Sequence, residues 1–353
     1  MDSKHRKRLS LIVLLLVLLV VGFCVQRSAA DKGIALPIIS DYIDSSEPSL
    51  PSADEIQNSA ERILDSAYEK VEEFLFGTAP NGTAGSSPST NGFSAPVDGA
   101  VQVHIQDMGQ ADSILILAPD ATVLIDAGEN DQGDQVLRYL AAQGITSIDL
   151  LIATHPHSDH IGGMDTVING IEVGRILMPA LPDALIPTTK TYTDLLIAID
   201  RNDVHLQIAE PGQTFDLGDG ALLTILGPQG SPRNLNDLSI VSRLDYGTVS
   251  FLFTGDIESA AEAALLASGV PLQATILDVP HHGSRTSSTP EFIGAVAPAL
   301  ATISCGLDNS YGHPHRETLE ILAEAAAHIA RTDRSSHLVI VTDGKEFSFS
   351  TAR

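Results

Sequence analysis

Three histidines and an aspartate fall within six positions of the stretch "THPHSDHIGG" (154–163): His155, His157, Asp159 and His160. The stretch comes directly after the apolar run "IDLLIA". A strand therefore ends there and hands the next residues to a loop at the sheet edge, where several side chains can fold around one point. Imidazole and carboxylate donors two to five residues apart suit Zn²⁺ or a similar borderline cation. His155 and His157 can serve one ion while Asp159 and His160 serve a second. A lone H-x-H is a weak signal, but H-x-H-x-D-H is a specific one.

Other polar residues are less telling by themselves. Asp107 ahead of "MGQADS", Asp126 in "LIDAG" and Asp256 closing "FLFTGD" all end apolar runs beside glycine, and a turn or cap role alone would explain them. "YGHPH" (311–315), with Tyr311, His313 and His315, is in isolation a Gly/Pro loop with solvated histidines. Ser284 and Arg285 after "HHG" read equally as a capped turn and as a hydroxyl and cation for a phosphate. Of the two cysteines, Cys24 lies in an N-terminal apolar segment and Cys305 comes after "ALATIS", a buried strand-end thiol with no disulfide partner. There is no Walker loop, dinucleotide fingerprint or G-x-S-x-G elbow, hence no nucleotide cofactor. A Ser/His/Asp hydrolase built on Ser284 would leave the histidine loop unexplained.

The elements that must position these residues can be read from the hydrophobic pattern. Residues 1–30 carry "KHRKR" ahead of an apolar stretch over 9–25 and a small-residue "SAA", the pattern of a signal peptide or an N-terminal membrane anchor. The basic flank keeps the N-terminus inside and sends the rest of the chain outward, so the protein is expected to be extracytoplasmic, either secreted or anchored to a bacterial membrane. Residues 31–96 read as a tether with one amphipathic helix (54–76) and a Gly/Ser/Thr-rich linker. From 97 to 353 the texture is that of a compact α/β domain. Strand-like runs lie at 101–108, 113–119, 121–128, 147–155 and 175–180, and again at 222–228, 239–247, 249–256, 274–282, 300–305 and 337–344. Helical patterns lie at 132–143, 190–202, 258–268, 290–296 and 316–328. Two similar halves of this order predict two mixed sheets packed face to face, with helices outside.

The ordered series "QDMGQADSILI", "VLIDAG", "THPHSDHIGG", "NDLSIVSRL", "FLFTGD", "DVPHHGSRTSS", "ISCGLDNSYGHPH" and "RTD" resembles the metallo-β-lactamase superfamily, and within it the ComEC-type soluble C-terminal domain of bacterial competence proteins. The resemblance implies an αββα sandwich with two Zn²⁺ ions, or Mn²⁺ instead, at one edge between the sheets. It makes Asp256 the carboxylate bridging both ions and either His281 or His282 the last histidine of the second site, His281 being favoured because it comes directly after the strand. Asp126 and Asp112 are then expected beside the ligands, with Asp126 orienting a histidine. Many superfamily members carry a further histidine where this chain reads "NLNDLS", so Asn236 or Asp237 is expected near a weaker first site. "YGHPH" would close over the cleft, with His313 or Tyr311 as proton donor.

The activity so implied is hydrolysis of a phosphodiester, single-stranded DNA being one candidate, by hydroxide made on the bound metal. Phosphorylcholine-ester, lactone and thioester hydrolysis share the same scaffold chemistry, and a metal-depleted binding module is the non-enzyme alternative. Charge bears on the choice: 45 acidic residues against 20 basic give −25, a surface that repels polyanions at long range.

Overall fold

The computed structural model describes residues 100–325 and 327–351. The targeting segment, the tether, its helix at 54–76 and the boundary at 97 lie outside the described residues. Among the described residues no helix is long and apolar enough to cross a membrane.

The first half runs β1 (Val101–Ile105), β2 (Ile114–Leu117), β3 (Thr122–Ile125), α1 (Gly133–Ala142), β4 (Ser147–Ile148), β5 (Leu150–Ile152), α2 (Ser158–Ile161), α3 (Met164–Gly170), β6 (Glu172–Val173), β7 (Arg175–Met178), α4 (Lys190–Arg201) and β8 (His205–Ile208). The second runs β9 (Thr214–Asp216), β10 (Leu222–Ile225), β11 (Ser242–Tyr246), β12 (Val249–Phe253), α5 (Ser259–Ser268), β13 (Ile276–Asp278), α6 (Pro290–Val296), β14 (Leu300–Ile303), α7 (Arg316–Glu324), β15 (His328–Arg331), α8 (Thr332–Ser335), β16 (Leu338–Thr342) and β17 (Phe347–Thr351). One sheet has the order β17-β16-β1-β2-β3-β5-β7-β8 and the other β15-β14-β13-β12-β11-β10-β9. Each is antiparallel where strands succeed one another directly and parallel where a helix intervenes, from β3 to β8 and from β12 to β15.

Alternation along the strands places the layers. On β2 and β3, Ile114, Ile116, Val123 and Ile125 join Leu223, Leu244, Phe251 and Ile276 of the other sheet in one core, while Leu115, Leu117 and Leu124 turn to α1, α3 and α4. On the second sheet Leu252, Leu277 and Ala301 turn to α5, α6 and α7. This is the expected αββα sandwich: strands covered on both faces carry apolar residues at both parities.

Five strands were not predicted: β6, β8, β9, β15 and β17. They are short, or on the sheet edges, and mostly exposed, so no apolar run announces them. The helix expected over 316–328 stops at Glu324, and its last residue instead begins β15. The stretch after His157, expected as a loop, forms the short helices α2 and α3 hinged at Gly162–Gly163.

That glycine pair has a steric cause. A Cβ on Gly163 would lie 2.3 Å from the Ala127 carbonyl oxygen, and one on Gly162 would lie 2.3 Å from the Asn130 nitrogen. The histidine loop is thus laid backbone to backbone on the loop after β3, and Ala127 N–H donates to the His160 carbonyl at 2.8 Å. Gly163→Ala should destabilise the domain by about 2–3 kcal/mol through overpacking against rigid backbone. Gly294, inside α6 with nothing within 4 Å of its missing Cβ, should do the opposite: Gly294→Ala should gain about 0.5–1 kcal/mol. Equilibrium urea unfolding of both variants checks the pair of signs.

Candidate metal centre

Carboxyl ends of the central strands converge on one cleft of about 320 Å³. Residues from the end of β3 (Asp126), the end of β5 (Thr154, His155), the end of β12 (Asp256) and the turn after β13 (His281, His282) meet there. Two groups of side chains have ligand atoms within 4.8 Å of one another around Asp256: His155 with His157, and Asp159 with His160 and His282. One oxygen of Asp256 serves each group. Oδ2 lies 3.7 Å from His155 Nε2, whereas Oδ1 lies 3.3 Å from His160 Nε2 and 3.8 Å from His282 Nε2. Asp159 Oδ2 stands 3.4 Å from His282 Nε2.

Whether these residues fit a cation can be judged from their unused atoms. Asp256 Oδ1, His160 Nε2 and His282 Nε2 are buried and make no aligned hydrogen bond, although they face one another. A buried polar atom without a partner is costly, so three aimed at one point call for a shared positive partner. The opposite ring nitrogens say the same. His282 Nδ1 sits 3.0 Å from the Ser304 carbonyl and His160 Nδ1 2.7 Å from Asp126 Oδ2, acceptors that require N–H at Nδ1. Thr154 gives its hydroxyl proton to Asp126 Oδ2 at 2.6 Å, so its oxygen can only accept from His155 Nδ1 at 3.2 Å. In the neutral ring each histidine then turns a bare Nε2 toward Asp256, the state that ligates a metal. The residues fit a metal pair.

Electrostatics agree. Burial pushes the Asp256 carboxyl up, but the cations of His160 and His282 outweigh it and hold it well below the usual carboxylate range. Burial likewise opposes charge on His160 and His282, yet Asp256, helped by Asp126 at the one and Asp112 at the other, holds both well above the usual imidazole range. His155 and His157 are driven down by burial and stay neutral. Protons on His160 and His282 thus stand where a metal's charge would go.

The expectation favouring His281 is corrected by the backbone. Both histidines of "PHHG" take left-handed φ of 54°, and this kink turns His282 into the buried group while His281 stays on the rim. His281 Nδ1 meets Thr286 Oγ1 at 3.1 Å, and its Nε2 stands 3.8 Å from Asp256 Oδ2. Asp126 holds His160 and Thr154, and Asp112 lies 3.5 Å from His282 Nδ1, both behind the ligand atoms. Asn236 lines the cleft, but Asp237 turns away to accept the Glu258 N–H at 3.1 Å. Asp107 closes its own turn on Gly109 N–H. Ser284 is buried against Thr286, Arg285 is exposed, and His315 accepts the Arg285 N–H, so none of the three faces the cleft. His313 and Tyr311 do line it, Tyr311 being 67% exposed. Cys305 is buried, which pushes its thiol up to about 12.

Sequence reasoning missed Ser239, Asp278 and Gln110. Ser239 Oγ touches His155 Nδ1 at 3.2 Å and accepts the Asp256 N–H at 3.0 Å. Asp278 is buried, and burial, with Asp112 and Asp126 nearby, pushes its carboxyl well above the usual range. No local pattern marks these residues, since each acts on a segment distant in the chain.

A sequence model of the Metallo-beta-lactamase superfamily matches residues 107–306. With the two-sheet sandwich and the histidine–aspartate cluster at its edge, the chain belongs to that superfamily. Within it the chain is related to competence proteins. It is 30% identical over 253 residues to ComE operon protein 3 of Bacillus subtilis, which covers 66% of this chain and 32% of that protein. It is 28% identical over 240 residues to Competence protein ComA of Neisseria gonorrhoeae, covering 67% and 31% respectively. Recombination protein 2 of Haemophilus influenzae shares 27% over 226 residues, covering 63% of this chain. The chain spans 26–32% of the length of these curated relatives.

Two outcomes are expected of metal titrations. Asp256→Ala should lose more bound metal than any single-histidine variant, because it alone faces both groups; retention of two equivalents by elemental analysis would show that it is no bridge. Metal uptake at neutral pH should release protons from His160 and His282, so the calorimetric enthalpy should depend on buffer ionisation heat and affinity should fall as pH is lowered.

Proposed function

We propose that the chain is an extracytoplasmic metal-dependent hydrolase of phosphodiester bonds, with a DNA strand as its substrate. The observation that carries this reading is the buried convergence of His160, His282 and Asp256 atoms that lack any other partner, opposite the His155–His157 pair on the second oxygen of the same carboxylate. The printed names of the relatives, competence and recombination proteins, favour DNA over a lipid headgroup or a lactone. Residues 9–25 would carry the domain across the membrane or hold it there.

Zn²⁺ or Mn²⁺ bound in this cluster would supply a water acidic enough to attack at neutral pH and would neutralise charge growing on the phosphoryl oxygens. The chain's own residues do the positioning. Asp126 fixes the ring of His160, and Ser239 and Thr154 fix that of His155, so ligand atoms need no reorganisation when substrate enters. Burial, with His282, His315 and His281 around it, brings His313 down to about 4, so at neutral pH it serves as a neutral hydrogen-bond donor to substrate oxygen rather than as a cation. Asn236 Oδ1, buried and without a partner at the same cleft, offers a place to orient a hydroxyl or water.

Single-turnover assays on labelled single-stranded DNA, a chromogenic phosphodiester and a lactone, each with Zn²⁺ or Mn²⁺, test the reading. Cleavage of DNA or diester is expected, with Asp159→Ala slowed about 10²–10³-fold or more. Lactone turnover without diester cleavage would transfer the site to another substrate class, and no bound metal and no turnover would leave a binding module.

A further inference from the structure

The histidines of this cleft are not all held alike. His155, His160 and His282 each give an Nδ1 proton to an acceptor, which leaves Nε2 bare in the neutral ring. His313 is held the other way round. Gln110 reaches it from the turn between β1 and β2, with Nε2 placed 3.1 Å from His313 Nδ1. The orientation of that amide is settled by its other end, because Gln110 Oε1 accepts the Gly306 backbone N–H at 3.2 Å, and a backbone N–H can only donate. The Gln110 amino group must therefore face His313 and donate. His313 Nδ1 can only accept, and the neutral ring carries its proton on Nε2.

The surroundings keep the ring in place. Asn309 donates to the carbonyls of Gly306 and His313 at 2.8 and 2.6 Å and accepts the His313 N–H at 3.0 Å, closing the loop that bears His313. Tyr311 stacks on the ring with centroids 5.5 Å apart and planes 24° apart, and His315 meets it edge-on at 4.8 Å. A Cβ on Gly306 would lie 2.9 Å from the Gln110 backbone nitrogen, so the two segments touch closely enough to fix the amide.

Resting on the reading of the cleft as a phosphodiester site, we propose that Gln110 is a positioning residue that locks His313 in its Nε2–H tautomer, giving the cleft a fixed hydrogen-bond donor for a phosphoryl oxygen. A ring so held cannot ligate metal through Nε2, since that nitrogen has no free lone pair. One cleft thus separates two jobs of the same residue type: bare Nε2 atoms for cations and a protonated Nε2 for an anionic oxygen. Gln110 does no chemistry itself.

Full-length, zinc-loaded protein labelled with ¹⁵N-histidine tests this by long-range ¹H–¹⁵N correlation at neutral pH, the His313 signals being those lost in His313→Gln. Wild type should show Nε2 protonated and Nδ1 bare. Gln110→Leu, which removes the donor, should give a mixture of tautomers. Gln110→Glu, which keeps the acceptor for Gly306, should place a proton on Nδ1. Inorganic phosphate is the binding probe: Gln110→Leu should weaken it on the order of 3- to 10-fold by lowering the competent population. Adding Gln110→Leu to His313→Ala should cost nothing more. A wild-type ring protonated on Nδ1, a Gln110→Leu spectrum unchanged from wild type, or additive losses in the double variant would each overturn the proposal. The tautomer is read without turnover, so a failure of diester hydrolysis would be seen separately.

Discussion

A carboxylate left 2% exposed, with four histidine rings around it, sets the terms for the rest of this domain. Burying an ion such as Asp256 costs several kcal/mol unless positive charge is kept beside it. The chain meets that need with His160 and His282, which stay charged only because the same carboxylate faces both. A second anion behind them, Asp126, holds His160 in place, and further negative charge at that depth would tip the balance. Asp278 answers to the same limit from the other side, its carboxyl being pushed up by burial with Asp112 and Asp126 nearby, whereas that of Asp256 is held down. The whole arrangement reads as a charge balance in which protons and divalent cations can exchange places.

Backbone conformation answers to the same demand. Asp126, His281 and His282 all adopt left-handed φ near 55°, which side-chain-bearing residues enter at a cost of about 1 kcal/mol or more. Such conformations persist only where surrounding contacts outweigh them. For Asp126 the contacts are Thr154 and His160; for His282 they are the Ser304 carbonyl and Asp112. Gly283 then packs against Pro314, so the turn that aims His282 inward also brings the His313 loop to the rim of the cleft.

How far the sequence discloses this depends on whether a contact is local. The ligands of "HPHSDH" share one loop, so their spacing alone carries the chemistry, and the αββα order is legible because the strands are apolar on both faces. The choice between His281 and His282 is not legible: adjacent residues differ in burial only through a kink that no residue type announces. Edge strands such as β8 and β17 are exposed and lack a run to reveal them. Ser239, Asp278 and Gln110 act across 84, 166 and 203 residues of chain, on His155, Asp112 and His313 respectively, and a single sequence has no way to mark such pairs.

The acidic composition is less of an obstacle to an anionic substrate than the figure of −25 suggests. At physiological ionic strength charges more than about 8 Å away are largely screened, so distant carboxylates slow encounter without governing the chemistry inside the cleft. There the carboxylates of Asp159 and Asp256 are already committed to histidines, and two divalent cations in their midst would reverse the local sign. Attraction for a phosphate would then be short in range and depend on metal occupancy. Screening on that scale confines the effect of the net charge to long-range encounter and leaves the local balance of the cleft to its own histidines, its carboxylates and any cation they hold.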